Sequence, residues 1–295
     1  MGHMVEFACN VCGGRNRAEQ FASEPASCAC GSNVRIRALV HLLSLELFGH
    51  SIPAVDFPRL KGVRAVGLSD QECYARILAD KFDYTNTYYD REPKLDIRRP
   101  SPGWLGSCDF VLAADVIEHI APPLDEALSA VRSLLKPNGF FGVTVYCHPS
   151  DKMREHYPGL GEFRIVPLGG RDVLINRRRD GSLEIREDLV FHGGAGETLE
   201  MREFGISGLE AALRSAGFEG VHFLTANVPE WGILFDHETS QPLVARKQEY
   251  TLGRCAQSQL VEAWRDAEDR AWKAEKAAEQ AREAPEKRGL RWRLR

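Results

Sequence analysis

Residues 109–146 read DFVLAADVIEHIAPPLDEALSAVRSLLKPNGFFGVTVY, and the fold is decided here. Asp109 to Ala114 is an apolar run of strand length that ends at a polar residue, Asp115. Pro122 and Pro123 preset the backbone for a helix entry, and Leu124, Ala127, Val131 and Leu135 form its apolar face. Lys136-Pro137-Asn138-Gly139 stops that helix, and Phe140 to Tyr146 is a second near-continuous apolar run. Strands apolar on both faces belong to a sheet covered on both sides. Strand, helix and strand with short joints therefore read as a right-handed crossover in a parallel sheet.

Upstream, Val63-Arg64-Ala65-Val66-Gly67 reads as a short buried strand and Gln71 to Ala79 as a helix. Tyr84 to Tyr89 is a second extended segment, and Leu95-Asp96-Ile97 is expected to supply a third strand. Downstream, Val173 and Ile175, then Leu183 and Ile185, alternate on either side of Asp180-Gly181, a β-hairpin pattern. A helix from Leu209 to Ala216, ended by Gly217, precedes strands at Val221–Leu224 and Pro242–Arg246. The expected fold class is α/β, a doubly wound Rossmann-like sheet at 60–250 carrying a substrate-side insertion at 148–205. A linking helix at 34–59 precedes it, with apolar residues at helical spacing (Ile36, Leu39, Val40, Leu43, Leu47) and a stop at Gly49.

The chain has 295 residues, 43% hydrophobic and 27% charged, with a net charge of −4. That balance does not favour a nucleic-acid partner. No apolar run approaches the roughly 18–20 residues of a membrane span, and no signal-peptide pattern opens the chain. Met1-Gly2-His3-Met4 resembles a cloning remnant, and a cytoplasmic protein is expected.

Four of the eight cysteines gather at 5–33, as Cys9-x2-Cys12, fifteen residues, then Cys28-x-Cys30. Gly13, Gly14 and Gly31 follow the pairs and permit turns in which backbone N–H groups reach thiolates. Clustering at this spacing favours structural zinc over disulfides, the alternative being loosely packed reduced thiols. Four thiolates fill a tetrahedral ion, so such a zinc would not be catalytic.

In an open α/β sheet, ligands bind beyond the carboxyl ends of the strands. Those ends carry Gly67-Leu68-Ser69-Asp70, Tyr88-Tyr89-Asp90, Asp96, and Asp115 with Glu118 and His119. A nucleoside ligand needs a glycine for close backbone approach, carboxylates for ribose hydroxyls and a polar group for an adenine amine. A strand-end Asp is also a common cap or turn residue.

On these residues the chain resembles class I S-adenosylmethionine-dependent methyltransferases. The resemblance rests on the Asp109-to-Asp115 strand, the Glu118-His119 dipeptide, Leu134-Leu135-Lys136-Pro137-Asn138-Gly139 and Ala216-Gly217-Phe218, over roughly residues 60–250. It also extends to a narrower bacterial subgroup of the type 11/12 kind, linked to glycan contexts. That subgroup pairs a Cys-rich start with segments like Gly67-Leu68-Ser69-Asp70, 84–89 and Phe191-His192-Gly193-Gly194. The resemblance implies S-adenosylmethionine as cofactor, with Gly67, Ser69 and Asp70 at the first strand, Asp90 at the ribose, Asp96 on the adenine side and Asp115 at the fourth strand end. The family's glycine-rich motif is reduced here to Ala65-Val66-Gly67-Leu68-Ser69-Asp70, with Asp70 as a candidate partner for the cofactor's amino group.

Methyl transfer to a hydroxyl or amine needs alignment and removal of a proton, and histidine suits that proton near neutral pH. His119, His148, His156 and His192 are candidates, with His192 and His156 foremost. His148, Glu200 and Arg202 are expected on the acceptor side, and Arg164 is a further candidate for an anionic acceptor, though both arginines also read as solvated surface charge. The expected acceptor is a small molecule or a glycan sugar, methylated on oxygen or nitrogen. An enzyme of another reaction class on the same fold, or a non-catalytic interaction protein, are the rival readings.

Residues 251–295 shift to Ala, Glu, Arg and Lys. Leu260, Trp264, Ala267, Ala271, Ala274, Ala278 and Ala281 form a short seam ended by Pro285 and a basic tail. It reads either as a solvated helix or as a surface for a second copy or a partner helix.

Overall fold

The computed structural model describes residues 4–18, 26–148, 152–178, 180–192, 198–235, 240–248, 258, 259, 262, 266, 270 and 272–278. Strands β1 (Val5–Ala8) and β2 (Arg15–Ala18) form an antiparallel pair ahead of helix α1 (Val34–Phe48). Then follow β3 (Leu60–Leu68), α2 (Glu72–Lys81), β4 (Phe82–Thr87), β5 (Cys108–Ala114), α3 (Leu124–Leu134) and β6 (Leu135–His148). The insertion contributes β7 (Arg154–Glu155), β8 (Glu162–Leu168), β9 (Arg171–Arg177), β10 (Leu183–Arg186), β11 (Phe191–His192) and β12 (Thr198–Leu199). The chain returns through β13 (Arg202–Gly205), α4 (Ile206–Ser215), β14 (Gly220–Phe223) and β15 (Ser240–Arg246).

The central sheet runs β14-β15-β6-β5-β3-β4. The four strands from β4 to β6 are mutually parallel, and β15 is antiparallel to both β6 and β14. β13 pairs in parallel with the end of β6, and β7 pairs with β13. The architecture is a mixed α/β fold on a mostly parallel sheet. Period-two alternation explains how its strands serve two cores. Phe110, Leu112, Phe140 and Val244 face one cluster with α1 and α2 residues, while Val111, Ala113, Phe141, Val143, Leu243 and Ala245 face the other with α3 and α4 residues. Helix α3 buries Leu124, Ala127, Leu128, Val131 and Leu134, and Leu135, expected on its face, is already the first residue of β6.

Three expectations change. Leu95-Asp96-Ile97 is not a strand. Tyr88 N–H donates to Pro93 O (2.8 Å) and Leu95 N–H to Tyr88 O (2.9 Å), so the segment folds back on Tyr88 and its amides are spent in the loop. The 171–186 hairpin gains β8 as a third, edge strand, where Pro167 costs no ladder bond. The helix of the 34–59 segment is also more than a link. It is capped by Asn33, whose side chain accepts from Ile36 N–H at 3.0 Å, and ended by Gly49 at φ 75°, and most of its residues are buried against the sheet.

Much of the expected C-terminal seam (Leu260, Trp264, Ala267, Ala271, Ala281), the basic tail and the glycine-rich stretch at 193–196 lie outside the described residues. Among the described residues, no helix is long and apolar enough to cross a membrane. If α1 is a layer of the domain, Leu39→Ala should lower stability by about 2–5 kcal/mol in urea denaturation, as for a core truncation. A change near zero would return the helix to a linking role.

Candidate functional site

The chain leaves β3 toward β4 on one side and resumes at β5 on the other, so the topological switch point lies between the carboxyl ends of β3 and β5. Ser69 (φ 58°) follows β3 and Asp115 (φ 52°) follows β5. They are the two non-glycine residues with left-handed backbone among the described residues, a conformation that side chains adopt at a cost. Each is held by its neighbouring strand: Ser69 N–H donates to Thr87 O (2.7 Å) and Asp115 N–H to Thr144 O (2.9 Å).

At the end of β3 the close approach permitted by Gly67 is used by the protein itself. A Cβ there would lie 1.9 Å from Tyr84 Oη and 2.4 Å from Asp70 Oδ2. The Tyr84 hydroxyl donates to Asp70 at 2.5 Å, and both residues are buried. Asn86 bridges the Asp70 backbone from both sides, accepting its N–H (2.9 Å) and donating to its carbonyl (2.8 Å). Asp70 Oδ1 is buried and makes no hydrogen bond of good geometry. Burial pushes this carboxyl up to about 6, against the stabilising pull of the Tyr74 and Tyr84 hydroxyls and the Ala114 N–H. Asp90 is exposed beyond β4. Asp96 accepts Arg98 N–H at 3.0 Å and keeps 27% of its side chain exposed.

Asp115 is not an open carboxylate. It pairs with Arg35 of α1, the two side chains being 6% and 5% exposed, and accepts Thr144 Oγ1–H at 3.0 Å. Arg35 lies two residues past the cap of a helix that begins directly after the cysteine cluster. There, Cys9 and Cys30 Sγ are 3.8 Å apart, Cys12 and Cys28 Sγ 3.6 Å, and all four lie within 4.8 Å of one another. Thiolates at ~2.3 Å from a tetrahedral zinc stand ~3.8 Å apart. Backbone N–H groups approach the Cys12, Cys28 and Cys30 sulfurs from Gly14, Cys30 and Ser32. Burial pushes the Cys12 thiol up to about 12, so four thiolates need a cation to coexist. Beside them Arg37, fully buried, donates to Ser27 Oγ, Ser32 O and Gly232 O.

The insertion is fastened to the turn that follows β5. Met201 N–H donates to Glu118 O (2.8 Å), Arg202 Nη1 to Ile117 O (2.8 Å), and His119 Nδ1 contacts Leu199 O at 3.0 Å. Arg202, expected to face solvent or an anionic acceptor, is fully buried and also donates to Glu155 Oε1 at 2.7 Å. Its Nε and Nη1 hold the insertion, while Nη2 is buried without a hydrogen-bond partner. His156 is a buried side chain whose Nε2 stands 3.9 Å from Glu200 and 3.8 Å from Glu203. Burial pushes Glu200 up, against the opposing charges of His156 and His192. His148 is exposed at the end of β6.

His192 comes to the same end of the sheet. The β11–β12 pairing sets it opposite Thr198, and its ring meets His119 edge-on with centroids 5.5 Å apart. Burial pushes His119 below its ordinary value, a shift reinforced by His192 and Arg202 and opposed by the Leu199 hydrogen bond. Glu118, 3% exposed, completes this group: a carboxylate oxygen and one nitrogen from each ring all lie within 4.8 Å of one another. In the sequence, Glu118 and His119 lie at the strand end and His192 in the insertion, with no local signal that joins them. Nearby, a cleft of about 580 Å³ is lined by Arg98, Ala121, Pro122, Phe163, Arg164 and Ile175, so Arg164 faces a concavity.

No family model matches the sequence, and no curated protein matches it. Among solved structures the chain is similar to the CMeT domain of a citrinin polyketide synthase (TM-score 0.44, 14% identity, 76% of this chain and 55% of that one). It is also similar to the CcbJ methyltransferase from Streptomyces caelestis (0.41, 14%, 72% and 88%) and to an S-adenosylmethionine-dependent methyltransferase from Clostridium acetobutylicum ATCC 824 (0.38, 10%, 70% and 96%). The chain thus spans about half the length of the first of these. Likeness at this level assigns no residue of the site.

Asp70 gives a pH signature. With its folded pKa raised, the folded protein holds the proton more tightly than the unfolded chain. Its contribution to stability is complete below the ordinary carboxylate range and is lost as pH rises through about 6. Asp70→Asn should therefore gain on the parent by on the order of 2 kcal/mol between about pH 4 and pH 7 in urea denaturation. A parallel pair of pH profiles would contradict it.

Proposed function

We propose that this chain is an S-adenosylmethionine-dependent methyltransferase of class I type, acting on oxygen or nitrogen of a small molecule or a glycan sugar. The observation that carries the reading is the pair Ser69 and Asp115, in left-handed backbone on either side of the switch point. Strained non-glycine residues at such a crevice mark a ligand site, and the sheet there carries the motifs of the sequence resemblance. The antiparallel β15 placed between β6 and β14 also suits that family's sheet.

The donor set fits the cofactor. Asp70, a buried carboxyl at the β3 end held by Tyr84, is the group we take to meet the cofactor's ammonium in place of the eroded glycine motif. Asp90, exposed, and Asp96, half-buried beside Arg98, stand beyond β4 for ribose hydroxyls and the adenine side. Ser69 offers backbone at the β3 end. Asp115, paired with Arg35 and bonded by Thr144, fixes the backbone at the β5 end. Gly67 lies under Tyr84, so it contributes through the packing that places Asp70.

The bound cofactor supplies an electrophilic methyl group on sulfur. The chain's own contribution is alignment and proton removal. In this reading the acceptor's proton passes to His192 or His156, with Glu200 beside His156. His148 and Glu200 border the acceptor, and Arg98 and Arg164 in the adjoining cleft favour one with negative charge. Zinc at Cys9, Cys12, Cys28 and Cys30 is structural in this reading: it fixes the start of α1 and through it Arg35.

Calorimetric titration should show binding of S-adenosylmethionine and S-adenosylhomocysteine, and Asp96→Ala should weaken it by about 1–3 kcal/mol, the cost of a lost buried hydrogen bond. His192→Ala should lower methyl transfer while leaving that affinity intact. A folded protein that binds neither compound contradicts the reading. Removing metal with a strong chelator should lower the melting temperature and release zinc from the four cysteines; metal-free protein of unchanged stability would contradict a structural zinc there.

A further inference from the structure

We infer that Glu118, His119 and His192 form a second metal site, one that takes a divalent transition-metal cation and stands open to the acceptor. The three come from separated parts of the chain, the turn after β5 and the β11–β12 ladder, yet their ligand atoms lie within 4.8 Å of one another. One carboxylate and two imidazoles match a first-row divalent ion such as manganese, iron, cobalt or zinc, and they leave coordination positions unfilled. Two ligands at ~2.1 Å from one ion are at most ~4.2 Å apart, so small side-chain adjustments close the set.

A second observation points the same way. His119 Nδ1 lies 3.0 Å from Leu199 O. A carbonyl only accepts, so Nδ1 carries the hydrogen and Nε2 presents its lone pair, the arrangement that orients a metal-bound histidine. The turn is further fixed by Met201 N–H on Glu118 O and Arg202 on Ile117 O. These contacts spend backbone and Arg202 groups on holding Glu118 and His119 in place, as a ligand set requires.

The site stands apart from the cysteine cluster in chemistry, and that difference makes it measurable. An ion there would meet an acceptor through oxygen donors, so His192 would serve the acceptor as a ligand to the ion while His156 remains available for the proton. This deepens the methyltransferase reading of the same crevice. Its test uses metal alone, so either can fail without the other.

The full-length protein, loaded with cobalt(II), should bind two ions per chain. One should show the intense sulfur-to-cobalt absorption of a thiolate site, the other only weak ligand-field bands of nitrogen and oxygen coordination. His192→Ala and, independently, Glu118→Gln should abolish the second set or weaken its ion more than about 10-fold, leaving the thiolate bands unchanged. Those unchanged bands report that each variant is folded at its N-terminal module, and circular dichroism reports the rest. One ion per chain with thiolate bands alone, or a second ion indifferent to both substitutions, overturns the inference.

Discussion

The buried pair of Arg35 and Asp115 is the constraint on which the arrangement turns. Two opposite charges with about a twentieth of their surface exposed gain little net stability over an apolar pair of the same shape, because desolvation offsets most of the attraction. What the pair provides is position. Asp115 follows β5 in left-handed backbone at the switch point, and Arg35 reaches it from a helix whose cap, Asn33, stands three residues past Cys30. The cysteine cluster, the helix and the carboxyl end of β5 thus form one mechanical unit. Arg37 adds the reverse tie, holding Ser27 and Ser32 beside the thiols and Gly232 from the far end of the chain.

The other half of the crevice is built by the insertion. Leu199, Met201 and Arg202 grip the turn 117–119 through three hydrogen bonds, and Phe204 and Gly205 then extend the sheet beside Cys147 and His148. A segment joined to the domain this way cannot shift without disturbing Glu118 and His119. The groups that would bind a nucleoside cofactor and those that would meet an acceptor therefore share the end of one strand, β5.

Much of this was legible in the sequence because it depends on local pattern. Runs apolar on both faces marked β5 and β6 as central strands, Pro122 and Pro123 marked the entry of α3, and alternation around Asp180-Gly181 marked the hairpin. The spacing of Cys9, Cys12, Cys28 and Cys30 foreshadowed their convergence. What escaped depends on partners far away in the chain. Arg202 reads as a surface arginine until Ile117 and Glu155 are placed around it. Gly67 reads as room for a ligand until Tyr84 covers it. Leu95 and Ile97 read as a strand because both are apolar and alternate, but they are buried by a loop folded onto Tyr88. The joining of Glu118 and His119 with His192 follows from how the insertion docks, for which the sequence holds no short-range signal.

On the proposed function, the crevice between β3 and β5 holds an S-adenosyl ligand. Hydrogen–deuterium exchange of the intact protein, with and without saturating S-adenosylhomocysteine, tests it most directly. Slowed exchange confined to Gly67–Asp70, the 88–97 loop and the Asp115–His119 turn is expected. Protection that falls instead on the hairpin β8–β10, or no protection anywhere, would contradict it.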